Sequence, residues 1–246
     1  MKKRDWGTDP YFFGPRNYFR HILLISYLNK KNKKVLDAGC GNGSLSVRIS
    51  KMGHEVVGID ITKENIVFAN SVKESFKMKK LSFFQMSLTD IKFKKDSFDA
   101  VVSGEVLEHI KNDDIAVKEL NRVLKMKGQC IVSVPQNPKL WSNEDEWVGH
   151  VRRYTRKDFI NLMEKNGFKV ENIKSVGFPI VKVYFYFFNR FVLNKKIKEN
   201  KKTGKNQFLN LISKIVSYIF FFDLIFSRFD KGNWLILSAK KIKDIE

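Results

Sequence analysis

Cysteine is nearly missing from this chain. Cys40 and Cys130 stand far apart and without CxxC spacing. That excludes a disulfide framework and a cysteine-ligated structural zinc, and it is the usage expected in a reducing compartment. No apolar core follows the basic residues of the N-terminal MKKRDWGTDPYF, so no secretory signal peptide is expected there. No run reads as a membrane span either. The best candidate, 208–226, is interrupted by Asn210, Ser213, Lys214, Ser217 and Asp223. A spanning helix wants ~20 predominantly apolar residues, and a central Lys or Asp costs about 2.5–3.5 kcal/mol each. A helix buried in the tail or lying in a membrane interface is still compatible with the pattern. Acidic residues are in deficit, 26 against 46 Lys and Arg, for a net charge of +20. The deficit is uneven: residues 1–150 carry 25 basic and 18 acidic side chains, residues 151–246 carry 21 and 8. Such a basic C-terminal third points to an anionic partner or to a lysine-biased, well-solvated surface.

The hydrophobic fraction, 43% of 246 residues, is enough for one large α/β domain with an elaborated tail. Lys33–Ala38 predicts a strand, Ser44–Met52 a helix stopped by Gly53, and His54–Ile61 a second strand. Thr62 is expected to cap a helix running to about Lys79, with Glu64 in its first turn. Leu81–Leu88 and Phe98–Ser103 predict two further strands. Asp113–Lys125 predicts a helix with Ile115, Val117, Leu120 and Leu124 inward, ended by Lys127-Gly128. Gln129–Val134 predicts a fifth strand stopped by Pro135. Strands and helices alternate, and the strands are nearly continuous apolar runs. Both signs predict a doubly wound, mostly parallel sheet with helices on both faces.

Beyond Pro135 the pattern changes. PQNPKLWSNEDEWVGHVRRYT is a long polar and aromatic connection, and Thr155 opens a helix with Asp158 at the third position and Gly167 as its stop. Lys169–Val176 predicts a strand. The aromatic run GFPIVKVYFYFFNRFVLNKK follows, then KKIKENKKTGKNQ, expected to be an exposed loop. Phe208–Phe229 is apolar again, and GNWLILSAKK predicts a closing strand. The chain therefore divides into an N-terminal helical segment (1–32), a core (33–178) and an aromatic, basic C-terminal elaboration (179–246).

VLDAGCGNGSL places glycines at every second position between the first strand and its helix, in the spacing Asp37-x-Gly39-x-Gly41-x-Gly43. Such a turn brings backbone close to a ligand at the carboxyl edge of a sheet. The dinucleotide fingerprint G-x-G-x-x-G needs a glycine where Ser44 stands, and the Asp37 carboxylate would repel a pyrophosphate. A ligand bearing an ammonium group suits this turn better, which argues against an NAD-dependent oxidoreductase.

On these residues the sequence resembles the class I S-adenosylmethionine (SAM)-dependent methyltransferases, in the small-molecule branch typified by the type 11/12 domains. VLDAGCGNGSL is similar to their first motif and VVGIDIT to their second. FDAVVSGEVLEHI is similar to the fourth-strand motif, LNRVLKMKGQCIVSVP to the segment entering the fifth strand, and HVRRYTRKDFINLMEKNGF to the helix that follows. The resemblance covers roughly residues 33–178 and implies a Rossmann-like fold with SAM as cofactor. It implies that Gly39, Gly41 and Gly43 admit the cofactor and that Asp37 acts on its methionine end. Asp60 would hold both ribose hydroxyls and Ile61 would pack on adenine. Ser103, Gly104 and Glu105 would line the cleft near the sulfonium. The family's third motif usually carries an acid near adenine's exocyclic amine; Ser87, followed by Leu88, stands there instead. Met126 and Gln129 replace a common Pro and Gly.

Two histidines are candidate general bases. His109 follows Glu105 by four residues in EVLEHI, and His150 heads HVRRYT. Each has a structural alternative, His109 packed under the next helix and His150 as a loop residue. His21 and His54 read as structural, and no metal site is expected. Arg152, Arg153 and Tyr154 either bind an anionic substrate or form a solvated loop. The implied function is methyl transfer to an oxygen, nitrogen or carbon of a small acceptor. The aromatic tail with interspersed Lys and Arg suggests a lipophilic or lipid-linked acceptor, peripheral contact with an anionic membrane, or simply completion of the core. The expected location is cytoplasmic, at the inner membrane face if that contact holds. RNA or DNA methylation is the alternative within the enzyme class, but VPQNP lacks the amino-methylation signature and no nucleic-acid module is appended. A non-catalytic SAM-fold binding protein is a further alternative.

Overall fold

The computed structural model describes residues 14–188 and 207–245. In those residues seven strands form one sheet: β1 (Lys34–Ala38), β2 (Glu55–Asp60), β3 (Leu81–Gln85), β4 (Phe98–Gly104), β5 (Leu124–Pro135), β6 (Phe168–Val176) and β7 (Trp234–Lys241). Their spatial order is β3-β2-β1-β4-β5-β7-β6. The first five run parallel, while β7 is antiparallel to both β5 and β6. The helices are α1 (Pro15–Tyr27), α2 (Ser44–Lys51), α3 (Lys63–Ser75), α4 (Asp113–Val123), α5 (Asn143–Val148), α6 (Arg156–Lys165), α7 (Ile180–Phe188) and α8 (Gln207–Ile219). A 3₁₀ segment, Phe220–Phe226, continues from α8.

The apolar runs become strands because both faces of the sheet are covered. Alternate residues enter opposite cores. Leu36, Val101, Val132 and Leu237 face the core that contains Leu120 and Phe159 from α4 and α6. Val35, Val102, Ile131 and Ile236 face the core that contains Phe19, Ile49, Ala69 and Phe220 from α1, α2, α3 and the 3₁₀ segment. Cys40 and Cys130 are buried and free, one in each core.

Several local expectations need correction. Helix α3 stops at Ser75, not near Lys79, because Lys77 turns to φ 51. Thr62 does occupy the N-cap of α3, but its side chain makes no cap bond; its backbone N–H donates to Asp60 instead. Helix α4 ends at Val123 because Leu124 pairs with Phe98 of β4, so β5 begins before Lys127-Gly128 rather than after it. Ile115 points outward, 43% exposed. The closing strand β7 inserts between β5 and β6, so the C-terminal segment completes the sheet. Residues 195–207, expected to form an exposed loop, lie almost wholly outside the described residues, as do residues 1–13.

In the apolar tail, the buried Asp223 accepts the backbone N–H groups of Ile180 at 2.8 Å and Val181 at 3.0 Å, and so anchors the first turn of α7. Among the described residues no helix is long and apolar enough to cross a membrane. Strand order reverses between β1 and β4, and ligands of open α/β sheets lie outside the carboxyl ends at such a switch point.

Candidate functional site

A cleft of about 1600 Å³ opens at that point. Its floor is the glycine turn, whose three glycines differ in purpose. All have left-handed φ, +86° at Gly39, +51° at Gly41 and +78° at Gly43. A Cβ on Gly39 would sit 2.3 Å from Val106 Cγ2, and one on Gly43 would sit 2.6 Å from Phe83 Cζ. Those two glycines let the turn pack against its own protein. A Cβ on Gly41 meets nothing within 4 Å, so this is the glycine that faces open cleft. Gly39 and Gly41 are on the cleft wall; Gly43 lies behind it.

Main-chain bonds hold the turn. Gly39 and Cys40 both donate to the Ile59 carbonyl at 2.8 Å, and Gly41 donates to Asp60 Oδ2 at 2.9 Å. Asp60 Oδ1 also accepts from the Thr62 N–H at 2.8 Å and from Asn65 Nδ2 at 3.2 Å. An ionised carboxylate offers about four acceptor positions. Three are taken, so contact with two ribose hydroxyls requires one of these bonds to yield. Beside Asp60, Ile61 is on the cleft wall and 69% exposed, an apolar face for a flat ligand.

Asp37 reaches the same wall from the end of β1 and is 1% exposed. Burial pushes its carboxyl up to about 7; the Ser46 hydroxyl, donating at 2.5 Å, opposes that rise and the Asp60 charge adds to it. Ser103 is fully buried and donates to the Ala38 carbonyl at 2.8 Å, tying β4 to β1 rather than facing the cleft. Gly104 and Glu105 do face it. Ser87 bonds the Thr89 hydroxyl at 2.8 Å and Leu88 belongs to the core, so neither is on the cleft wall.

The structure brings His109 and His150 together, their rings 4.8 Å apart and edge to face. Both are on the cleft wall. His109 Nδ1 lies 3.1 Å from the Gly149 carbonyl, an acceptor only, so Nδ1 carries the hydrogen and Nε2 keeps its lone pair. Burial and the neighbouring His150 hold His109 below the ordinary histidine range. His150 Nδ1 is 2.8 Å from Asp145 Oδ1, and its Nε2 is 3.7 Å from Glu108 Oε1. Burial pushes Asp145 up, but bonds from Arg153 and His150 outweigh that and keep it below the ordinary carboxylate range. Glu108 is fully buried, its side-chain oxygens have no hydrogen-bond partner among the described residues, and burial together with the Glu105 charge holds it well above the ordinary range. One side-chain ligand atom each from Glu108, His109 and His150 lies within 4.8 Å of the other two.

Arg153 also lines the cleft, bound to Asp145 through Nε at 2.8 Å and Nη2 at 2.9 Å. Arg152 and Tyr154 turn to Asp113 instead, at 2.7 and 2.8 Å. His54 is buried and its Nδ1 meets the Asn32 carbonyl at 2.5 Å, a structural role as expected. His21 differs from expectation. It lies on the cleft wall with Arg16 and Arg20 of α1. Local sequence reasoning also missed Asp145, Lys182, Tyr186 and Trp234 on the cleft wall, and Glu108 buried beside His150. The spacings of Lys182 and Tyr186 on α7 and of Arg16 and Arg20 on α1, each four apart on one helix face, are signals that could have grouped them.

Comparison with known proteins gives the family. A family profile described as a methyltransferase domain matches residues 29–175. The chain belongs to this methyltransferase domain family. It is 39% identical over 103 residues to the ubiquinone biosynthesis O-methyltransferase of Pelagibacter ubique, covering 42% of each chain. Against the mitochondrial ubiquinone biosynthesis O-methyltransferase of Rattus norvegicus it is 27% identical over 177 residues, covering 65% of this chain and 51% of that one. The chain thus spans about half the length of the curated relatives it matches. Among solved structures, Haemonchus contortus phosphoethanolamine N-methyltransferase 2 aligns with TM-score 0.68 at 18% identity, covering 95% of this chain and 55% of that one. Geranyl diphosphate C-methyltransferase from Streptomyces coelicolor aligns with TM-score 0.65 at 15% identity, covering 92% and 79%. These two likenesses show the fold.

Proposed function

We propose that this chain is an S-adenosylmethionine-dependent methyltransferase acting on an oxygen, nitrogen or carbon of a small amphipathic acceptor. The observation that carries the reading is the left-handed turn at Gly41, open to the cleft and bracketed by the carboxylates of Asp37 and Asp60. The donor set fits the cofactor. Asp37 suits its ammonium group, Asp60 its ribose hydroxyls, Ile61 its adenine, and the bare Gly41 backbone its close approach. When bound, S-adenosylmethionine supplies an electrophilic methyl group on a sulfonium.

The chain's own residues do the rest. The cleft orients the acceptor and excludes water, effects that together reach ~7–11 kcal/mol when geometry is well matched. His109, with its Nε2 lone pair free of the Gly149 bond, takes the proton from a hydroxyl or amine acceptor. The Gly149 carbonyl and the His150 ring hold the His109 ring in place, and Asp145 fixes His150. The acceptor's apolar character is supported by the tail. Ile215, Tyr218, Phe222 and Ile225 are 54%, 59%, 62% and 71% exposed at successive helical spacings, flanked by the exposed Lys214 and Arg228. An apolar stripe with a basic rim suits an anionic membrane surface, where a lipophilic acceptor would reside.

Calorimetric titration with S-adenosylmethionine, its demethylated product and NAD tests the reading. The first two are expected to bind and NAD is not; binding of NAD in their place would overturn it.

A further inference from the structure

Among the described residues four long cationic side chains stand on the cleft wall: Arg16, Arg20, Arg153 and Lys182. Three are matched to carboxylates, Arg16 to Glu144 at 3.5 Å, Arg20 to Glu105 at 3.6 Å and Arg153 to Asp145 at 2.8 Å. Lys182 has no acidic partner among the described residues. Its ammonium instead lies 5.5 Å from the centre of the Phe178 ring, and Lys231, also without an acidic partner there, lies 5.9 Å from the same ring. The arrangement is held from behind. Phe226 packs edge-on against Phe178 at 6.2 Å, and Asp223 fixes the first turn of α7, where Lys182 stands. Two ammonium groups on one ring, near Arg153, repel each other. Burial and then the charges of Lys231 and Arg153 hold Lys182 below the ordinary lysine range. Lys182 stands on the cleft wall, and an anion within reach of its ammonium would relieve that repulsion.

We propose that Lys182 and Lys231 seat a phosphate group of the methyl acceptor. The acceptor is then a phosphorylated amphiphile, its phosphate at the mouth of the cleft and its apolar part along Tyr186, one turn further on the cleft face of α7. Lysine ammoniums act as compact point charges that meet a tetrahedral phosphate without the planar fork an arginine offers a carboxylate. The matched arginines, by contrast, are already engaged. This inference rests on the methyltransferase reading and adds the chemical class of the acceptor.

The test is binding of farnesyl phosphate and of farnesol to protein saturated with S-adenosylhomocysteine. Wild-type protein is expected to prefer the phosphate by about tenfold or more, as charge-assisted bonds do. The preference should fall to near parity in Lys182→Met/Lys231→Met, while S-adenosylhomocysteine affinity stays unchanged and reports an intact fold. Equal binding of the two probes to wild-type protein, or a preference that survives in the variant, overturns the inference alone. Absence of S-adenosylhomocysteine binding to wild-type protein overturns the reading beneath it as well. Phosphatidylglycerol vesicles separate the two sources of phosphate. Vesicle binding unchanged in the variant supports an acceptor site. Lost vesicle binding with an intact preference for farnesyl phosphate assigns the lysines to bilayer head groups and overturns it.

Discussion

The two walls of the cleft are assembled in different ways. The wall proposed for the cofactor draws Asp37, the glycine turn, Asp60, Ile61 and Asn65 from one continuous stretch of chain. The rest of the lining collects His21 and Arg20 from α1, Glu105 and His109 after β4, His150 and Arg153 after α5, Lys182 and Tyr186 from α7, and Trp234 from β7. Backbone geometry holds the first wall, through left-handed glycines and main-chain bonds to Ile59 and Asp60. Carboxylates hold the second, bound to Arg20, Arg153 and the His150 ring. A wall made of backbone suits one invariant ligand, and a wall made of side chains can be changed without disturbing the first. Function then resides in the grafted side chains more than in the fold.

Substitutions that strike one wall should therefore leave the other intact. The largest effect belongs to the second wall: His109→Ala should lower kcat by about 10²–10⁴-fold if the acceptor is a hydroxyl or amine, with cofactor affinity measured by calorimetry unchanged. Loss of cofactor binding in that variant would show that the walls are not separable. On the first wall, Asp60→Ala leaves the N–H groups of Gly41 and Thr62 without their carboxylate, and Gly41→Val fills open cleft. Each should weaken S-adenosylmethionine binding by roughly 10- to 100-fold, while circular dichroism stays that of the folded protein.

Asp37 yields a pH dependence with a definite sign. Its folded carboxyl, at about 7, holds a proton that the unfolded chain releases near an ordinary 3.8. The stability it contributes is fully present below the unfolded value and is lost as pH rises through the folded one, roughly 4 kcal/mol in all. Thermal melts of the ligand-free protein should show that decline between those values, and Asp37→Asn should flatten it. An ammonium ligand favours the ionised form, so S-adenosylmethionine affinity should climb up to ~tenfold per pH unit toward 7 in wild-type protein and not in the variant. The smallest effect concerns neither wall. Phe222→Ser or Ile225→Ser should reduce partitioning into anionic vesicles roughly three- to tenfold, with binding in the cleft unaltered.

The difference between the walls also explains what could be read before the fold was known. Alternating apolar segments announced the parallel sheet, and Asp37, Gly39, Gly41, Asp60 and Ile61 were legible because they sit within one strand–turn–helix–strand unit. Ser87, Leu88 and Ser103, expected beside the cofactor, lie off the cleft wall, and position along the chain alone does not say which way a side chain leaves a strand end. His21 was passed over because nothing local tells that α1 lies along the cleft. Glu108 and Asp145 were not singled out, since their importance comes from burial beside His150 and not from any spacing.

Residue order determined the period of each element, the glycines at the first turn and the acid at the end of β2, because those depend on φ, hydrogen bonding and neighbours a few positions away. Only the tertiary structure decided that His109 meets His150, that β7 slips between β5 and β6, and that Lys182 on the cleft wall has no acidic partner among the described residues. Those facts depend on which distant groups come within a few ångströms once two cores have closed on one sheet, and local preferences carry no information about such distances.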